Sequence, residues 1–170
     1  MAKNKVAELL NEQVTKEFYS AYLYLDFANY YNDKGLKGYQ NWFEVQAQEE
    51  MDHALLFIKY MQQNDMPVTL EAIDKPNNKF DNFIDPLKAS LAHEQYVTGL
   101  IHKIYGEAQK ANDFRCTQFL DWFVKEQGEE EDNARTNIQR AELFGNDPKA
   151  LYQLDQEMQT RVYAAPTLVI

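Results

Sequence analysis

Glu50 and His53 stand three residues apart in QAQEEMDHALLF (46–57). That spacing puts both on one face of any helix that contains them. A carboxylate and an imidazole side by side are oxygen and nitrogen ligands for a metal ion. Counted around a helix, their face also carries Phe43, Gln46, Ala54, Phe57 and Met61, while Gln48 and Lys59 fall opposite. The two polar groups therefore point into apolar surroundings, where an uncompensated charge is costly.

Other carboxylates sit the same way. Glu17 shares a stripe with Val6, Leu10, Ala21, Tyr24 and Ala28, and Glu94 shares one with Leu87, Leu91, Val97, Ile101 and Tyr105. Gln127 and Glu130 fall among Cys116, Leu120, Phe123, Ala134 and Ile138. None of these stripe positions is Lys or Arg. The four negative charges of Glu17, Glu50, Glu94 and Glu130 match two divalent cations. An oxygen-rich set with a single imidazole suits iron or manganese, whereas structural zinc sites favour Cys and His. Di-iron carboxylate bundles take one Glu from each of two helices and Glu-x-x-His from the other two. Here Glu50-x-x-His53 occurs once, and Gln127-x-x-Glu130 stands in the other place.

Five segments with helical period position these residues, and nothing alternates like a strand. The spacing predicts helices over about 4–32, 37–64, 85–111 and 114–144, and a shorter one from Pro148 to about Tyr163. Gly35, the Asn112-Asp113 turn and Gly145-Asn146 mark the short connections. Asp85-Pro86 and Asp147-Pro148 read as N-cap followed by proline in the first turn. MPVTLEAIDKPNNKFDNFIDP, with three prolines, is a long connection without period. Short, long and short connections imply two antiparallel pairs joined by one crossover: an all-α, antiparallel four-helix bundle with a short fifth C-terminal helix. Each acid lies near the middle of its helix, so antiparallel packing brings all four to one level.

The 170 residues suit one domain spanning 1–170, and 45% hydrophobic with 14% aromatic residues makes the chain globular. A formal charge of −10 argues against nucleic acid and anionic membranes and suits cations. No apolar run is long enough to span a bilayer, and MAKNKVAELLNEQ lacks the apolar core of a signal peptide. The single cysteine, Cys116, permits no internal disulfide and reads as core packing, so a cytoplasmic setting is expected. His93 and His102 fall away from the Glu94 direction and are expected at the surface. Val45, Leu55, Leu56 and Trp122 miss the inward stripes and are offered as surfaces for subunit contacts.

In NEQVTKEFYSAYLY around Glu17, QAQEEMDH around Glu50, HEQ around Glu94 and FLDWFVKEQGEEE around Glu130, the chain resembles the ferritin family over nearly its whole length. Within that family it looks specifically like the bacterial non-heme ferritins. The resemblance implies an iron-storage protein: a 24-subunit hollow homo-oligomer that oxidises Fe(II) to Fe(III) with dioxygen or hydrogen peroxide and deposits ferric oxyhydroxide inside. It implies a ferroxidase centre with Glu17, Glu50 and His53 on one iron and Glu50, Glu94 and Glu130 on the other, Glu50 bridging. By the same resemblance Gln127 would lie alongside, and Glu49, Glu126, Glu129 and Glu130 would form a third iron site. For Tyr24, on the Glu17 stripe, two readings stay open: a hydrogen bond to a ligand with the supply of one electron, or an ordinary core tyrosine with a satisfied hydroxyl. Family members often carry histidine where this chain has Gly128. Met51 stands where heme-binding relatives have their axial ligand, but those relatives carry a second Glu-x-x-His, so no heme is expected. Two other readings stay open: a di-iron oxidase acting on an organic substrate, and a metal-free bundle whose acids are protonated or salt-bridged.

Overall fold

The computed structural model describes residues 2–170, with side chains from Lys5 onward. It contains five α-helices: α1 (Ala2–Asp33), α2 (Lys37–Gln63), α3 (Asp85–Lys110), α4 (Phe114–Phe144) and α5 (Pro148–Met158). Among the described residues there is no strand, and no helix is long and apolar enough to cross a membrane.

The first three helices end alike. Beyond α1, Gly35 takes φ +74°, with its N–H on the Asn32 carbonyl (3.0 Å) and the Leu36 N–H on the Tyr31 carbonyl (3.0 Å). Asp65 (φ 54°) after α2 and Asn112 (φ 53°) after α3 repeat the pattern. In this motif one left-handed residue lets the chain turn back over the last carbonyls. Asp113 and Asp147 then cap the next helices, accepting from Cys116 N (3.1 Å) and from Lys149 N (2.8 Å). Asp85 behaves differently from its expected role as N-cap. It is the first residue of α3, and its carboxylate turns back to the N–H groups of Asp81 (2.9 Å) and Asn82 (3.1 Å) in the crossover. The crossover presents free donors there, and the nearer donors win.

α1 pairs antiparallel with α2, and α3 with α4. The crossover returns along α1: Asn11 exchanges hydrogen bonds with the backbone of Thr69, and Tyr31 OH donates to the Phe83 carbonyl at 2.6 Å. It thereby delivers the start of α3 beside the end of α1. α5 ends at Met158 rather than near Tyr163. Asn41 Nδ2 donates to the carbonyls of Met158, Gln159 and Arg161, at 3.3, 3.3 and 3.0 Å, and these bonds draw the chain away from the helical path.

α5 also completes α2. Leu36 gives no side-chain cap, and instead Asp155 accepts from Gly38 N (2.8 Å) and Tyr39 N (3.0 Å). A Cβ on Gly38 would overlap the Asp155 carbonyl, so only glycine permits this approach. Asp155→Ala leaves two buried donors unsatisfied at a helix N-terminus. It is expected to destabilise the fold by about 1–3 kcal/mol, read as a lower midpoint in thermal unfolding.

The interior is divided. One apolar cluster holds Val6, Leu10, Val14, Phe57, Ile101 and Phe123; the other holds Tyr24, Phe27, Tyr31, Phe43, Leu87 and Leu154. On every long helix the polar residues fall between the two: Glu17 and Ser20, Glu50 and His53, Ser90 and Glu94, Gln127 and Glu130, all buried. Val45 and Leu56 are also buried within this chain, because neighbouring helices cover more of α2 than one narrow stripe. Leu55 is exposed, and Trp122 is partly buried against the first cluster.

Candidate metal centre

The polar layer crosses the bundle between two apolar caps. Glu17, Glu50 and His53 can each offer one ligand atom such that all three lie within 4.8 Å of one another. His53 Nδ1 faces Glu50 Oε2 at 3.3 Å. Two amides brace the carboxylates from one helical turn before them: Gln13 Nε2 donates to Glu17 Oε1 (2.7 Å) and Gln46 Nε2 to Glu50 Oε1 (2.9 Å). Both pairs use the spacing at which helical neighbours meet. Glu17 Oε2 is left buried without a hydrogen-bond partner.

Glu94 closes the layer from α3. Tyr24 OH donates to Glu94 Oε1, and Gln127 Nε2 donates to Glu94 Oε2 (3.0 Å) and to its backbone carbonyl (3.2 Å). Gln127 thus turns its nitrogen to Glu94 and holds that carboxylate in place. Ser90 Oγ donates to Tyr24 OH at 3.4 Å, and the Tyr24 ring stacks on Phe43. Glu130 is buried on α4 and, like Glu94, feels the charge of Glu50.

The electrostatics separate one ionised carboxylate from three reluctant ones. Burial raises Glu17, and the Glu50 charge adds to it; His53 and the Gln13 bond oppose, leaving it at about 8. Burial and the charge of Glu50 likewise bring Glu130 to about 7, and with Glu130 they hold Glu94 well above the carboxylate range. Burial also works to raise Glu50, but His53 and the Gln46 bond outweigh it and the net shift is downward. Burial disfavours the His53 cation, yet Glu50, Glu17 and Glu130 lift it to about 10. Without metal, protons and one imidazolium offset the charge of four inward acids. A divalent cation supplies the same compensation with more charge and open coordination.

The flanking acids lie further out. Glu49, Glu126 and Glu129 line one cavity with His53. Glu49 pairs with Arg161, while the exposed Glu129 is 3.5 Å from Lys125. Gly128 faces open space, and a Cβ there would meet nothing within 4 Å. His102 is exposed, but His93 departs from its expected surface position. It is half-buried between α1 and α3, with Nε2 2.7 Å from Ser20 Oγ. Ser20 already donates to the Lys16 carbonyl, so His93 is the donor in that bond. Helical period placed Gln46 on the inward face without a bracing role and left Gln13 unnamed, although Gln13/Glu17 and Gln46/Glu50 repeat one Gln-x-x-x-Glu spacing.

A bundle of this topology with a carboxylate layer at mid-height belongs to the ferritin-like class of all-α proteins. Comparison with known proteins agrees: the family model described as "Ferritin-like domain" matches residues 7–144. A bacterial non-heme ferritin of Campylobacter jejuni is 33% identical over 156 residues, covering 92% of this chain and 93% of that protein. One of Staphylococcus haemolyticus is 31% identical over 163 residues, covering 96% and 98%. Among solved structures, an open pore ferritin from the hyperthermophilic archaeon Archaeoglobus fulgidus superposes with a TM-score of 0.91 at 39% identity, covering 93% of this chain and 98% of that one. The chain belongs to the ferritin family.

Proposed function

We propose that this chain is the subunit of an iron-storage shell and that its buried carboxylate layer is a ferroxidase centre. Fe(II) is the substrate. Glu17, Glu50 and His53 would bind one ion and Glu50, Glu94 and Glu130 a second, with Glu50 shared between them. Tyr24 and Gln127 hold Glu94 from two sides and would fix its orientation as the ions bind. Each Fe(II) gives one electron. A pair of ions supplies the two electrons that, with two protons, reduce dioxygen to hydrogen peroxide or hydrogen peroxide to water. Hard anionic oxygens favour the higher charge and so assist the loss of the electron. Glu49, Glu126, Glu129 and Glu130 would take the oxidised ion at a third site. From there it passes to the interior of a hollow homo-oligomer, a 24-mer on the family pattern, for deposition as ferric oxyhydroxide. Such work suits the cytoplasm and calls for neither heme nor nucleic acid.

The observation that carries this reading is the buried layer itself: four acids from four helices, with an unpartnered Glu17 oxygen turned among them and, among the described residues, no buried Lys or Arg. A layer kept only for packing would be better served by apolar residues. Relatives called non-heme ferritins at 31–33% identity give it further support.

Aerobic titration of the metal-free protein with ferrous iron, followed by size exclusion reading iron and protein together, tests it. Co-elution of well over about three irons per chain with a large particle is expected. Uptake that stops at about two per chain on a small species would replace storage with oxidation of an organic substrate.

A further inference from the structure

The outer acids Glu49, Glu126 and Glu129 lie along a cavity of about 260 Å³ that reaches inward to His53. The chain beyond α5 runs across it, and Ala164–Thr167 form part of its wall. This segment is fastened at its two ends. At the first, the Asn41 amide holds three carbonyls and the Arg161 guanidinium lies over the Trp42 ring, 4.2 Å from its centroid. At the other, Trp122 Nε1 donates to Thr167 Oγ1 at 3.0 Å. Between them Tyr163 OH donates to Asp52 at 2.6 Å. Arg161 Nη2 meets Glu49 Oε2 at 2.5 Å, with the two side chains only 15% and 19% exposed.

We propose that Arg161 is a built-in counter-ion for the outer acids, and that residues 159–170 are a strap which a cation must loosen to bind there. The inference rests on the function proposed above and names a control on its outer site. A guanidinium keeps its charge at any working pH, so Arg161 sets a fixed positive charge against the Glu49 carboxylate. A metal ion that takes the Glu49 carboxylate has to displace Arg161. Of the three outer acids, Glu49 alone has a shielded cationic partner; the Lys125–Glu129 pair is exposed and screened. The strap is unevenly seated: Leu168 and Ile170 pack against the first apolar cluster, whereas Val162 and Tyr163 are exposed, so its middle can loosen while its far end stays anchored. The inner centre therefore fills first, and the outer acids fill only against Arg161. An ion moving outward past His53 meets the strap next.

The chain's only two tryptophans both touch this strap, so their fluorescence reports its position. The test is a calorimetric titration of the intact metal-free protein with zinc(II), which neither oxidises nor quenches, with tryptophan emission recorded in parallel. Arg161→Gln is expected to tighten the outer, weakest step about tenfold and to leave the inner steps within about twofold. Arg161→Lys keeps the charge and should stay within about threefold of the unaltered protein. In the unaltered protein the emission shifts to the red as the outer step fills, and Glu49→Gln shows that shift before any metal is added. An outer step equally strong with Arg161 and with Gln overturns the proposal. So does an emission that stays constant while that step fills, a readout that holds even if the Gln variant folds poorly. Missing inner steps would instead sink the ferroxidase reading, and the outer step would still report on Arg161.

Discussion

Glu50→Gln is expected to slow the aerobic oxidation of ferrous iron by a factor on the order of 100 or more, while the metal-free protein keeps its fold. An amide cannot bridge two cations as a carboxylate does, so both proposed iron positions are lost at once. The stability change should be small because two effects oppose. The Glu50 charge raises Glu17, Glu94 and Glu130, and removing it relieves all three. The same change takes from His53 its nearest anionic partner, 3.3 Å away. The expected net is within about 1 kcal/mol. Stopped-flow oxidation and thermal unfolding of the metal-free protein measure the two quantities separately. A Gln variant that oxidises iron at the unaltered rate would remove Glu50 from the centre; one that fails to fold would make Glu50 a structural residue first.

Some of this arrangement was written plainly in the chain. Helical period gives a direction around one axis, and it placed Glu17, Glu50, Glu94 and Glu130 on inward faces, where all four are buried. Glycine and asparagine at the helix ends marked turns that the left-handed conformations of Gly35 and Asn112 execute. What period cannot give is which side chain arrives from another element. Asp155 caps α2 from α5, Arg161 reaches Glu49 from beyond it, and His93 meets Ser20 across two helices. These pairs are 73 to 117 residues apart in the chain. Asp85 illustrates the same limit at short range. Its type and its following proline fit an N-cap, but the unsatisfied donors of Asp81 and Asn82 decide where its carboxylate goes. The overestimate of α5 has a similar origin: Asn41 captures its last carbonyls from α2.

Metal should stabilise this protein more at high pH than at low. In the folded, metal-free chain Glu17 titrates at about 8 against an ordinary 4.5, so between those values the folded state holds a proton that the unfolded state has released. Stability therefore falls as pH rises across that interval and levels off above it. Glu130, at about 7, acts in the same sense over a narrower range. His53 adds a contribution that is complete below 6.5 and lost as pH climbs through about 10. Glu50, shifted downward, works the other way: its contribution is present above 4.5 and lost as pH falls through its lower folded value. The metal-free protein is accordingly most stable near about pH 5 and weakens toward pH 8. A divalent cation has to displace the protons on Glu17, Glu94 and Glu130, so its binding strengthens over the range in which the metal-free fold weakens. With manganese(II) held at about 100 times its dissociation constant at pH 8, the gain is about 2.7 kcal/mol, or some 5–10 °C in unfolding midpoint. The same manganese concentration at pH 5 should give little. Thermal unfolding from pH 5 to 8, with and without manganese(II), makes the comparison. A gain independent of pH would mean that the cation binds surface acids, and that the four buried carboxyls keep their protons and serve packing alone.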